Sequence, residues 1–88
     1  MQLKLDEVNE LFEKLINSEI TREDADRWAY KRMQALDSGE LEFIPAADEQ
    51  KLWDAIQYLY GIDTKVSPDE YMHPVEEIRE TFEEKWKL

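Results

Sequence analysis

The chain has 88 residues, 42% of them hydrophobic, with 22 acidic against 11 basic side chains and a formal net charge of −11. Ten aromatics, three of them Trp, give it material for a packed interior, so a disordered chain is excluded, and a single domain spanning residues 1–88 is expected. With no cysteine, disulfides and thiolate metal sites are also excluded. The first residues turn charged at once, no signal peptide is evident, and no apolar run approaches the roughly 20 residues that span a bilayer. A cytoplasmic protein without membrane contact is expected.

In chain order, Asp6 is placed to cap a first helix whose inward face is Val8, Leu11, Phe12, Leu15 and Ile16. Glu10 and Lys14 stand opposite as a favourable i,i+4 pair. After the break at Asn17-Ser18-Glu19, Thr21 opens a capping box with the unusually short partner Asp24. Ala25, Trp28, Ala29, Met33 and Leu36 make the stripe of a second helix, which Gly39 ends. In residues 40–46, Leu41 and Phe43 alternate with acids, a pattern compatible with a short extended stretch.

A third helix is expected to begin between Pro45 and Asp48, with Leu52, Trp53, Ile56, Leu59 and Tyr60 inward. Gly61 caps it, and Ile62 folds back over its end. Residues 62–73 are the longest connection, where Ser67-Pro68-Asp69-Glu70 has the order of one helical turn. His73-Pro74 opens a last helix with Val75, Ile78, Phe82 and Trp86 on its apolar face. Four amphipathic segments, each too short to stand alone, imply an all-α fold: a compact four-helix bundle with one irregular connection after helix 3.

Catalysis has little to work with. The single histidine, His73, reads as a boundary residue before proline, and one His-x-x-Glu pair falls short of the three or four ligands of a metal site. Ser18, Ser38 and Ser67 sit in breaks and at a cap, and no glycine-rich phosphate loop exists. No catalytic residue, cofactor or metal is expected, and an enzyme is disfavoured.

The charge distribution is more informative. Residues 37–70 hold 9 acids and 2 bases, a net of −7, while residues 1–36 and 73–88 each come to −2. A surface this negative repels phosphate backbones and anionic lipids, so neither nucleic acid nor membrane is expected as a partner. Tyr30, Tyr58 and Tyr71 fall off the inward stripes and beside acids, a composition suited to protein recognition. The candidate partner-binding residues are Asp54, Tyr58, Asp63, Asp69, Glu70 and Tyr71.

Ile20-Thr21-Arg22-Glu23-Asp24-Ala25-Asp26-Arg27-Trp28-Ala29, Leu59-Tyr60-Gly61-Ile62-Asp63 and Tyr71-Met72-His73-Pro74 resemble segments of a group of small acidic bacterial proteins. Its members are uncharacterised or suspected immunity proteins for secreted toxins, and the resemblance covers about residues 17–86. In physical type the chain is also similar to the small acidic immunity proteins of nuclease colicins, without their paired-tyrosine segment followed by proline. The resemblance implies no catalytic residues. The acidic surface with its tyrosines points to an inhibitor or immunity-type protein that masks a basic protein such as a nuclease toxin, acting as a monomer or homodimer. The alternative is a structural or regulatory accessory protein, perhaps a homodimer, whose charge only keeps it in solution. A small metal-dependent enzyme around His73 is a third.

Overall fold

A computed structural model of the chain describes residues 1–88. In chain order its elements are β1 (Gln2–Lys4), α1 (Leu5–Ile16), α2 (Arg22–Asp37), β2 (Glu42–Ile44), a 3-10 turn (Ala46–Asp48), α3 (Glu49–Leu59), β3 (Lys65–Ser67), β4 (Glu70–Tyr71) and α4 (Val75–Lys85). The four helices are present as the apolar periodicity requires. The all-α expectation is nevertheless corrected. About 60% of the chain is helical, but two small sheets add 12% strand, so the fold is mixed and mostly helical.

The first sheet joins distant segments. β1 runs parallel to β2, with Leu3 opposite Phe43, and both side chains enter the core. The terminal ammonium of Met1 donates to the Glu40 carbonyl at 2.8 Å, and Glu42 N–H donates to Met1 O at 2.8 Å. Three-residue strands carry too little periodicity to show in a sequence, and β1 follows a terminus that looks merely polar.

The second sheet replaces the helical turn expected at Ser67–Glu70. Pro68 and Asp69 instead make the bend of an antiparallel hairpin, pairing Lys65 with Tyr71 and Ser67 with Glu70. Proline suits the second position of a β-turn as well as the first turn of a helix, so the motif is ambiguous on its own.

Local chemistry sets the helix ends. Thr21 and Asp24 form both bonds of the capping box, each at 3.0 Å, so the shorter acid suffices. Asp6 lies within the first turn of α1 and Lys4 is its N-cap. Gly39 and Gly61 take the left-handed conformation (φ +74° and +80°) that lets the chain leave α2 and α3 without Cβ strain. Ile62 then folds back and is fully buried.

The core lies between all four helices, with α2 contributing the small side chains Ala25 and Ala29. Phe12 stacks on Phe82 and on Trp86, at centroid distances of 5.0 and 5.1 Å. Trp86 Nε1–H donates to the Lys51 carbonyl at 2.9 Å. Asn9 is the one buried polar residue. Its amide donates to the carbonyls of Leu5 (3.0 Å) and Trp86 (2.8 Å), and its Oδ1 accepts from Leu88 N–H at 3.0 Å, so the desolvated group keeps its bonds. Of the three tryptophans expected inside, Trp86 is buried, whereas Trp28 and Trp53 lie half-buried against the core. No helix is long and apolar enough to cross a membrane.

Candidate interaction surface

The candidate residues separate into three environments. Asp63, Asp69, Glu70 and Tyr71 gather on the hairpin and its base, where Met72 N–H donates to the Thr64 carbonyl at 2.9 Å. Asp54 is exposed on α3. It accepts from Gln50 at 2.8 Å and lines a separate cleft with Lys51, Lys85 and Trp86. Tyr58 belongs to neither place. Its ring packs against Phe12, Trp86 and His73, at 6.1, 5.6 and 5.6 Å. Burial pushes its phenol pKa up, and the Glu77 carboxylate adds to the shift. Thr81 lies beside the hydroxyl without making a sound hydrogen bond to it.

Tyr71 is held between two cations. The Arg22 guanidinium lies 4.1 Å from its ring centroid and the Lys65 ammonium 5.2 Å. Arg22 also donates to the His73 carbonyl at 3.1 Å, which ties the hairpin to the start of α2. The His73 ring meets Glu77 at 2.9 Å, and no three His, Asp or Glu side chains group as a metal site requires.

The acids of the middle segment stay unneutralised. Three ion pairs use Glu10, Asp24 and Glu83, with Lys14, Arg27 and Lys87 as their partners, and Glu77 is hydrogen-bonded to His73. None of the nine acids in residues 37–70 takes part. Thr21, through its backbone N–H first and its side chain second, holds the Asp24 carboxyl below its usual range, and Arg27 adds to this. Burial lowers the Arg32 guanidinium, with Glu7 opposing.

One feature escapes the sequence. Tyr60, expected inward, is 49% exposed and stacks on Tyr30, itself 48% exposed, at 6.2 Å and 23°. The buried stripe of α3 is Leu52, Ala55, Ile56 and Leu59. Tyr60 lies one residue past it, about 100° further round and at the helix end, and that offset was the available signal.

The profile of one protein family matches residues 3–86, nearly the whole chain; that family is described as YxzC DNA-binding protein. The chain belongs to this family. It is also similar to the uncharacterized protein YxzC of Bacillus subtilis (strain 168), 28% identical over 83 residues. That alignment takes in 89% of this chain and 62% of the relative, so the chain spans less than two thirds of the relative's length. No solved structure matches it. The family description overturns the expectation that nucleic acid is excluded as a partner. That expectation treated charge as a whole-molecule sum, whereas contact with DNA is made locally, and cations do collect at Tyr71.

Proposed function

We propose that this domain is an acidic docking protein of immunity or inhibitor type, presenting carboxylates to the basic cleft of a protein that handles nucleic acid. One observation supports this above the others: seven of the nine acids of residues 37–70 are exposed and the other two half-buried, and none forms an internal ion pair. Unpaired charge of one sign steers a partner of the other sign and is screened over about 10 Å at 0.1 M salt. Asp63, Asp69 and Glu70 supply that steering at the hairpin, and Asp54 extends it along α3.

The family description favours a second reading, direct contact with DNA. Arg22 and Lys65, poised around Tyr71, would be the phosphate-facing groups. A single experiment separates the two. The protein is titrated against a panel of basic nuclease domains and, in parallel, against a short DNA duplex at low and moderate salt. The docking reading expects inhibition of a nuclease, with Asp63→Lys/Asp69→Lys/Glu70→Lys slowing association roughly tenfold or more and flattening its salt dependence. Duplex binding that weakens with salt and is lost in Arg22→Ala/Lys65→Ala, without nuclease inhibition, replaces it with the second.

A further inference from the structure

Two half-buried aromatic rings at this protein's surface are covered by cations of its own chain. Arg32 lies 3.9 Å over Trp28, and Arg22 and Lys65 flank Tyr71. The Tyr30–Tyr60 stack, more exposed than either, is not. Its rings come from two different helices, each about half exposed, and no side-chain cation lies over either face.

The stack is held in place. Asp26 Oδ1 accepts the Gly61 N–H at 2.7 Å, which pins the end of α3 to α2, and Gln34 donates to the Tyr30 hydroxyl at 3.2 Å. Its surroundings are negative. Asp26 stands one turn before Tyr30 on the same face, Asp37 two turns after it, and Asp63 follows Gly61 closely in sequence. None of the three is in an ion pair, while the neighbouring cation Arg27 is held by Asp24. The negative ring faces and these carboxylates, none of them paired with a cation, attract the same kind of group.

We propose that the Tyr30–Tyr60 stack, with Asp26 and Asp63, is a docking site for an arginine side chain of a basic protein partner. This rests on the docking reading and names where the partner's anchor sits. Arginine is selected over lysine because a planar guanidinium can lie on a ring while donating to a carboxylate beside it, which a compact, strongly hydrated ammonium does poorly. Steering by the hairpin acids sets how fast the partner arrives, and the tyrosine stack sets how long it stays.

The test uses octa-arginine and octa-lysine peptides as probes, titrated calorimetrically into the protein at low salt. Octa-arginine is expected to bind more tightly by roughly twofold to fivefold, and Tyr30→Ala/Tyr60→Ala to bring the two peptides to parity. Tyr30→Phe/Tyr60→Phe, which keeps both rings, retains the preference. Octa-arginine is also expected to shift the ring proton resonances of Tyr30 and Tyr60 in the unaltered protein more than those of Tyr58, a readout that needs no variant. If the rings do not respond, or if the alanine variant keeps the arginine preference while both peptides still bind in a salt-sensitive way, the stack is not the anchor and the docking reading stands. If neither peptide binds the unaltered protein, both fail together.

Discussion

Trp86 and Tyr71 are both aromatic residues at the end of a secondary-structure element, and they are held in opposite ways. Trp86 is 2% exposed, stacked on Phe12, and hydrogen-bonded through its indole N–H and its carbonyl. Tyr71 sits on a hairpin whose β3 residues are all exposed, kept in place by a guanidinium and an ammonium at its ring. The helical end is stabilised by removing apolar area from water, the hairpin end by polarisable contacts that water and salt weaken. The hairpin should therefore open locally at a free energy well below that of global unfolding.

Four measurements test this contrast. Trp86→Ala removes the largest buried side chain and leaves the Lys51 carbonyl without its donor, so urea unfolding should show a loss of about 3–5 kcal/mol. A loss below about 1 kcal/mol would place the stabilising centre elsewhere. Asn9→Ala should cost about 1–3 kcal/mol, because the Trp86 carbonyl and the Leu88 N–H lose their partner in a desolvated site. Tyr71→Ala should cost less than about 1 kcal/mol globally, yet speed amide hydrogen exchange at Met72 and Tyr71. Exchange that speeds up equally in the hairpin and in the core would mean that the hairpin unfolds with the core.

The smallest effect is a slope with pH. Burial raises the Tyr58 pKa, so the native state holds the phenol proton more tightly than the unfolded chain does. Its contribution is complete below the ordinary tyrosine pKa and is lost as pH rises through the folded value. Stability measured above pH 10 should thus fall less steeply in Tyr58→Phe than in the unaltered protein.

The sequence disclosed the elements that build a periodic stripe or a local cap. Phe12, Ile56, Ile78 and Phe82 stand at helical spacing, the Thr21–Asp24 box closes as expected, and Ile62 covers the end of α3. Glu10 and Lys14 meet at 3.1 Å. What stayed hidden depends on partners far along the chain. Leu3 becomes a core residue only by pairing with β2, and Pro68-Asp69 bends a hairpin whose Tyr71 meets Arg22 from the start of α2. The candidate surface divides in the same way. Acidity in residues 37–70 was readable from composition, and the hairpin collects Asp63, Asp69 and Glu70. The side-chain directions of Tyr58 and Tyr60 were exchanged, because a one-residue step at a helix end carries a ring from core to solvent.

The Asn9 bridge spans 77 residues to Trp86 and 79 to Leu88. During synthesis, therefore, α1 emerges from the ribosome long before anything exists to cover Phe12. Until Trp86 clears the exit tunnel, that ring lacks its full cover, and the nascent chain depends on its abundant negative charge, or on a chaperone, to avoid sticking to its neighbours.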